Sequence, residues 1–255
     1  MPFIMPGRNE CVVYFDQRID LTKTNPFIEK FNSAGPYQIT VFHLILWAIA
    51  KTLQEWPRLN RFVMGKRLYQ HKGIWISFSA KKRFDKDAPI VVIKRQFDPE
   101  QSFSEMVRAL HEEIQKGRSD VKSHVDKELS VLLKLPRSLL RAGVALVNTL
   151  DYFNLLPASF IENDPMYASI FVVNLGSLGL DAAYHHLYEY GTIAVFTAVG
   201  KIRQEPVVTQ EGKVEVRTVL PIRYSFDERT EDGFYAAKAL ERLKAIVEDP
   251  GTHVK

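Results

Sequence analysis

Two segments carry the hydrophobic spacing of long α-helices. In residues 41–56 apolar side chains occupy almost every position around the helix, which is typical of a helix buried on all sides. Thr40 stands where it can cap the first turn of this helix. In residues 103–117 apolar side chains recur every three or four positions, after a capping box formed by Ser102 and Glu105. This second pattern predicts an amphipathic helix on the surface of the fold.

Several shorter segments are rich in β-branched and aromatic residues, as half-buried strands are. They are 11–15, 61–64, 74–79, 90–94, 167–175, 191–200 and 214–226. Two further helical patterns occupy residues 127–152, where Pro136 interrupts the pattern, and the stretch that follows Thr230, which can cap it. Strands and helices in mixed order predict an α+β fold, in which a mixed sheet is covered by helices in a two-layer sandwich.

The composition is that of one globular domain spanning residues 1–255. It is 46% hydrophobic, and the formal charge of +4 does not indicate nucleic-acid binding, because lysine and arginine alternate with acidic residues along the chain. Cys11 is the single cysteine, which excludes an intramolecular disulfide and a cysteine-based metal site. No stretch of roughly 18 uninterrupted apolar residues is present, so we expect no membrane span and, by default, a cytoplasmic protein.

A short motif near the C-terminus resembles a known catalytic turn. Residues 227–233 read Asp-Glu-Arg-Thr-Glu-Asp-Gly. In the acyltransferase core of 2-oxo acid dehydrogenase complexes, and in its relative chloramphenicol acetyltransferase, the corresponding motif is Asp-His-Arg-x-x-Asp-Gly, and the histidine is the general base. Every anchor of that motif is present except the histidine, because position 228 is a glutamate.

The resemblance extends over roughly residues 10–250 in one order. The further segments that carry it are Trp56–Asn60, Phe160–Asn163, Asn174–Gly179 and Ala198–Ile202. It implies the chloramphenicol acetyltransferase-like fold, a homotrimer with active sites between subunits, and a CoA thioester as co-substrate, without a metal. Within residues 1–255 we expect neither a lipoyl domain nor a peripheral-subunit-binding domain, and so no attached lipoyl group. An acyl-carrier or lipoyl protein would therefore act as a separate partner.

Two departures from the family pattern bear on the chemistry. Glu228 replaces the base, and a glutamate is a poorer proton acceptor than imidazole, since their unperturbed pKa values are about 4.3 and 6.5. The family's oxyanion hydroxyl falls on Val173 or, one residue earlier, on Val172, and neither supplies an oxygen. Losing a base costs about 10²–10⁴ in rate, and losing one oxyanion donor costs about 10²–10³. Both losses argue against the family's standard mechanism at ordinary speed.

Other anchors of the family site are retained. The resemblance implies that Asp232 is mainly structural and is held by a salt bridge to an arginine, for which Arg18 is the candidate. The alternative is an exposed acidic residue at the positive end of a helix. Gly233 is expected at the start of that helix because a crowded backbone there would leave no room for a side chain. Asn174 is expected to lie near the substrate.

One loop could restore the missing chemistry. Residues 184–190 gather two imidazoles, three phenols and a carboxylate. His185 or His186 would be a workable base, and the hydroxyl of Tyr184 or Tyr188 could replace the oxyanion donor. Adjacent histidines in a strand point to opposite faces, so at most one is expected to face the site. The alternative is a polar loop at a subunit interface, where tyrosine and histidine are common.

Two hypotheses of different class follow. The first is a stand-alone acyltransferase that uses a CoA thioester, an unknown acceptor and either Glu228 or the histidine loop as base. The second is a non-catalytic structural or regulatory trimer that has lost the base and the oxyanion hydroxyl. The basic residues 81–83 and Lys86 could attract the phosphates of CoA, although a solvated turn explains them as well.

Overall fold

The computed structural model describes residues 2–81, 90–98, 100–118, 136–209 and 211–254. Most of the basic cluster at residues 81–86 and the first part of the helical pattern at residues 127–152 lie outside these ranges.

A seven-stranded mixed sheet forms the centre of the fold. Its strands are β1 (Val12–Asp20), β4 (Ile74–Lys81), β5 (Ile90–Phe97), β6 (Ile170–Asn174), β7 (Val195–Val199), β8 (Arg203–Val208) and β9 (Val214–Asp227), with β2 (Arg61–Met64) and β3 (Arg67–Gln70) in a separate hairpin. The order is β1-β9-β7-β6-β4-β5, and β8 pairs with the first half of β9. Strands β4, β6 and β7 run parallel, whereas the other pairs are antiparallel.

Helices cover one face of this sheet. The helices of the described chain are α1 (Thr24–Ala34), α2 (Val41–Glu55), α3 (Phe103–Arg118), α4 (Arg137–Tyr152), α5 (Ala158–Asn163), α6 (Gly233–Glu248) and α7 (Pro250–His253). The main core joins side chains of α2, α3 and α6 to the sheet residues that face them, such as Phe78, Val172 and Tyr224. The predicted α+β class, with helices on a mixed sheet, is therefore confirmed.

The opposite face of the sheet carries a second, smaller core. Phe171 and Phe196 stack on it with ring centroids 5.3 Å apart, and Leu187 packs against them from the loop between β6 and β7. This loop, rather than a helix, covers the centre of that face. Successive side chains of β9 point to opposite faces of the sheet. Tyr224 therefore packs in the main core, whereas the hydroxyl of Ser225 donates a hydrogen bond to the carbonyl of His185 in the loop.

Most of the predicted helix boundaries are confirmed. Thr40 forms a capping box with His43 at the start of α2, and Ser102 forms one with Glu105 at the start of α3. The prediction for the last helix was displaced by two residues. Asp232, not Thr230, caps α6, and its carboxylate accepts a hydrogen bond from the third backbone N–H that follows.

No helix in the described ranges is long and apolar enough to cross a membrane.

Candidate functional site

The turn that follows β9 is held by a buried ion cluster. Asp227 is completely buried, and its two carboxylate oxygens accept hydrogen bonds from Nε and Nη2 of Arg229, each 2.9 Å long. Nε of Arg8, which is 3% exposed, lies 3.6 Å from Oδ2 of the same carboxylate. Burial lowers the pKa of Arg8, although Asp227 offsets part of that effect. Two guanidinium groups on one carboxylate fix the backbone of the turn.

Glu228 projects from this fixed turn. Its backbone N–H donates to the carbonyl of Cys11 at 3.0 Å, which anchors the residue to the chain segment before β1. Its side chain is exposed and has no hydrogen bond or ion pair to any described residue of the chain. The turn therefore presents a free carboxylate at the position of the family's base.

The loop that carries the two histidines is tied to the N-terminal segment. Glu189 accepts hydrogen bonds from the backbone N–H groups of Arg8 and Asn9, both 2.9 Å long. Burial would raise the pKa of Glu189, but these bonds lower it below its usual value. The Asn9 amide also donates to the carbonyl of Leu187 at 2.7 Å. Glu189 is thus engaged in holding the loop and has no hydrogen bond to either histidine.

Both imidazoles lie on the same side of the loop. The rings of His185 and His186 stack with centroids 4.7 Å apart, and His185 also stacks on Phe196 at 3.9 Å. The expectation that the two rings point to opposite faces was wrong, because residues 181–188 have no strand geometry. Burial lowers the pKa of His185, so its ring is neutral at pH 7. A neutral imidazole can accept a proton.

Within one chain, the histidines and Glu228 do not meet. The carbonyl of His185 accepts a hydrogen bond from the hydroxyl of Ser225, which lies three residues before Glu228. At roughly 3.3 Å per residue, Glu228 is about 10 Å farther along the chain. If one of these imidazoles is the base, it must approach Glu228 from a neighbouring subunit, which stays a prediction.

The two tyrosines differ in their surroundings. Tyr184 is 57% exposed, packs edge-on against Tyr14 at 5.7 Å and lies under the guanidinium of Arg223 at 4.2 Å. Tyr188 packs against both histidine rings, with centroids 5.6 and 5.4 Å apart. Neither phenol hydroxyl has a hydrogen-bond partner among the described residues, so both are available to a ligand.

The residues at the end of β6 make their contacts within their own turn and in the two cores. The side-chain oxygen of Asn174 accepts from the backbone N–H of Ser177 at 3.1 Å, which shapes the turn after the strand. Val172 is fully buried in the main core, whereas Val173 packs with the smaller core on the opposite face. Only position 173 lies on the face of the histidine loop, and its side chain is apolar.

Arg18 and Asp232 do not pair within this chain. Arg18 lies 3.4 Å from Glu205 on β8, and the carboxylate of Asp232 caps α6. In the register of β1 and β9, Arg18 faces Pro221, whereas the turn begins after Asp227. The salt bridge implied by the resemblance is therefore replaced by two separate contacts. Gly233 has open space around its Cα, so crowding does not explain it.

Asn174 and Glu228 stand at opposite ends of the sheet. Asn174 pairs with Val199, which pairs with Ile222 on β9, six residues before Glu228. Six residues of strand separate them by about 20 Å at roughly 3.3 Å per residue. The reacting carbonyl of one thioester cannot lie beside both residues of the same chain. A site that uses both residues at that carbonyl must take one from each of two chains.

Two adjoining cavities lie beside the turn. The first, of about 330 Å³, is lined by Arg8, Arg229, Glu189 and Asp151 among others. The second, of about 320 Å³, shares Asp151 with it and contains Lys94.

The second cavity also contains His71, to which the sequence assigned no role. Burial lowers the pKa of His71 to about 4. Its surroundings come from Asp151, Tyr167 and Thr192, about 80 to 120 positions along the chain, so no local signal indicated its burial. No group of three or more metal-binding side chains occurs in the described part of the chain.

Comparison with known proteins identifies the family. The model of the 2-oxoacid dehydrogenases acyltransferase (catalytic domain) family matches residues 8–128 and 160–254. Residues 129–159, which include α4, lie outside both matched spans.

A curated relative and two solved structures agree with this match. The lipoamide acyltransferase component of the branched-chain alpha-keto acid dehydrogenase complex of Bacillus subtilis (strain 168) is 22% identical over 226 residues, which are 88% of this chain. The chain spans 42% of the length of that relative.

The fold likeness covers nearly the whole chain. The dihydrolipoamide acetyltransferase of Azotobacter vinelandii superposes with a TM-score of 0.66 at 19% identity, over 94% of this chain and 83% of that one. A chloramphenicol acetyltransferase gives 0.55 at 12% identity, over 97% and 91%. The predicted chloramphenicol acetyltransferase-like fold is therefore confirmed, and the chain belongs, as a divergent member, to the family of 2-oxoacid dehydrogenase acyltransferase catalytic domains.

Proposed function

We propose that this protein transfers an acyl group from a CoA thioester to an acceptor, in an active site shared between subunits of a homotrimer. The observation that carries the proposal is the turn at Glu228. A buried carboxylate and two guanidinium groups fix its backbone, yet the side chain of Glu228 has no hydrogen bond or ion pair among the described residues. Such a costly buried ion cluster, beside a free side chain at the family's catalytic position, supports a retained catalytic turn.

In the first arrangement Glu228 is the base. The acceptor X–H attacks the thioester carbonyl while the carboxylate takes its proton. The tetrahedral intermediate collapses with loss of the CoA thiolate, which recovers the proton from the carboxyl group. A dry subunit interface would favour this route, because exclusion of water raises the basicity of a carboxylate.

In the second arrangement the base is an imidazole of the neighbouring subunit. His185 is neutral at pH 7 and stacked in place, which suits a general base. The free phenol of Tyr188 beside it would donate to the oxyanion in place of the family's missing hydroxyl.

The separation of Asn174 from Glu228 supports a site built from two chains. The family resemblance supports a trimer as the assembly that joins them. An acyl-carrier or lipoyl protein would act as a separate acceptor or donor.

Calorimetric titration with acetyl-CoA and with a long-chain acyl-CoA tests the proposal without knowledge of the acceptor. We expect saturable binding near one site per chain, and release of free CoA thiol when acceptors are screened. Absence of binding for both thioesters would defeat it. Light scattering tests the assembly, and a monomer at micromolar concentration would contradict the trimer.

A second candidate function is a non-catalytic trimer with a structural or regulatory role. It is favoured by the apolar side chain of Val173 where an oxyanion donor would stand, and by the use of the Asn174 amide within its own turn. In that case trimers would form and neither thioester would bind.

A further inference from the structure

The second cavity lies on the sheet face opposite the main helices, under a segment that the family match leaves out. Residues 129–159 fall between the two matched spans. Asp151, Asn154 and Ala158 of that segment line the cavity, facing the family core. This wall of the cavity therefore lies outside the spans that the family model matches.

The end of α4 packs closely against the β2–β3 hairpin. Gly65, in the turn of the β2–β3 hairpin, adopts a φ of +55°, and a Cβ at this position would lie 2.1 Å from the carbonyl oxygen of Tyr152. Backbone thus meets backbone where α4 ends, and only glycine allows this approach. The contact holds the C-terminal end of α4 over the cavity.

The cavity contains a cation that makes no direct ion pair with a described carboxylate. Nζ of Lys94 donates to the backbone carbonyls of Ile161 at 2.6 Å and Asp164 at 3.2 Å, and lies 5.1 Å from the ring centroid of Trp75. No described carboxylate is within ion-pair distance of it. Burial lowers the pKa of Lys94 to about 8, although Asp164 and Glu162 offset part of that effect. A half-buried ammonium without a direct ion pair is costly, so an anion that entered the cavity would be stabilised beside it.

One further polar atom of the cavity is unused. Nε2 of His71 is buried and has no hydrogen-bond partner among the described residues, whereas the hydroxyl of Tyr167 lies beside Asp151 and Tyr190. Buried polar atoms are nearly always bonded in folded proteins, and exceptions often mark a site for a ligand. The remaining wall is apolar, with Phe62 and Trp75 among its residues.

We propose that this cavity binds a small organic acid, with its carboxylate at Lys94 and its apolar body against Trp75 and Phe62. His71, in the tautomer that carries its proton on Nε2, completes the contacts to the carboxylate. A volume of about 320 Å³ suits a ligand of the size of benzoate or hexanoate. Asp151 and Glu162 also line the cavity and would repel the second carboxylate of a dianion, which selects for a single carboxylate. The proposal does not depend on acyl transfer.

The test is a binding titration of the full-length protein with benzoate and hexanoate, followed by calorimetry or ligand-observed NMR. Benzamide and hexanamide serve as uncharged matches, and hexylamine as a cation. We expect saturable binding of the acids at one site, at least ten-fold weaker binding of the amides, and none of the amine. No saturable binding of the acids, equal binding of acid and amide, or preference for the amine would overturn the proposal.

A variant pair locates the site. Lys94→Met keeps the length of the side chain and removes its charge, and we expect it to weaken binding of benzoate at least ten-fold. Lys30→Met changes an exposed lysine on α1, on the other side of the sheet, and should leave binding unchanged. Equal affinities of the two variants would contradict the site. The comparison of acid with amide on the unmodified protein stands even where Lys94→Met fails to fold.

Discussion

Asp227 and Arg229 form a bidentate ion pair inside the protein, with two hydrogen bonds of 2.9 Å across a turn of two residues. Arg229 also donates to the carbonyl of Pro6 at 2.5 Å, and Arg8 approaches the same carboxylate from the other side. Burial alone would lower the pKa of Arg229, but the bonds to Asp227 raise it above its usual value. One buried carboxylate thus joins the N-terminal segment to the turn that carries Glu228, and Arg8 in turn bonds carbonyls of the histidine loop.

Removing the Asp227 carboxylate should lower the stability of the protein. In Asp227→Asn both guanidinium groups keep their burial and lose their counter-ion, so we expect a loss of about 3–5 kcal/mol in the free energy of unfolding. Urea denaturation measures it. Glu211→Gln, which alters a carboxylate that is 74% exposed in the β8–β9 hairpin, should change stability by less than about 0.5 kcal/mol. Equal effects of the two substitutions would mean that the buried cluster does not stabilise the fold.

The glutamate at the catalytic position can be exchanged for the family's base. If the turn is otherwise competent, Glu228→His should raise the rate of CoA thiol release by on the order of 10²-fold, because imidazole is the better base at pH 7. Glu228→Gln, which keeps the shape without a base, should lower the rate. Identical rates for wild type and both variants would show that position 228 takes no part in the reaction.

Stability should fall in mild acid through His43 and His71. Burial lowers both pKa values to about 4, against about 6.5 in the unfolded chain. Between these values the unfolded state binds more protons, so the stabilising effect is complete above pH 6.5 and is lost as the pH falls toward 4.

The variant His71→Gln should flatten this pH dependence. The exposed His186→Gln should leave it as in the wild type, since its ring is in contact with solvent. Urea titrations at pH 4.5, 5.5 and 7 measure the difference. A slope that His71→Gln does not change would contradict the buried, neutral state of His71.

Two glycines, one in α4 and one in contact with its C-terminal end, should respond in opposite ways to substitution by alanine. Gly65→Ala places a Cβ on a residue with a φ of +55° and against the Tyr152 carbonyl, so we expect a loss of about 1–3 kcal/mol. Gly143 lies in the exposed interior of α4 with open space around it, so Gly143→Ala should stabilise the protein by up to about 1 kcal/mol. Thermal denaturation of both variants measures the two effects. A loss of stability in both would contradict the position of α4 against the β2–β3 hairpin.

The sequence predicted those helices and strands whose hydrophobic pattern is visible within the element itself. The apolar stretch of α2 and the alternation of β9 are local properties, and both elements lie where expected. Helix α1 (Thr24–Ala34) was missed, since it contains Pro26 and two asparagines that are poor helix formers. It is stabilised instead by tertiary packing, in which Phe31 meets Phe103 of α3 at 5.4 Å.

The site was predictable only where it rests on a motif. The turn at 227–233 was recognised from seven consecutive residues. The role of Arg8 was not, because its partners Asp227 and Gly191 are more than 180 positions away. The stacking of His185 on His186 also escaped prediction, since it depends on an irregular loop whose shape is fixed by Ser225 and the N-terminal segment.

The most direct test of a site shared between subunits is a subunit-mixing assay. Chains with Glu228→Gln and chains with Asn174→Ala are purified, unfolded together and refolded as a mixture, and thiol release from acyl-CoA is measured. Each variant alone should have little activity. In mixed assemblies, about a quarter of the sites should combine an intact turn from one chain with an intact Asn174 from its neighbour, and activity should return in that proportion. A mixture no more active than its components would contradict an active site built from two chains.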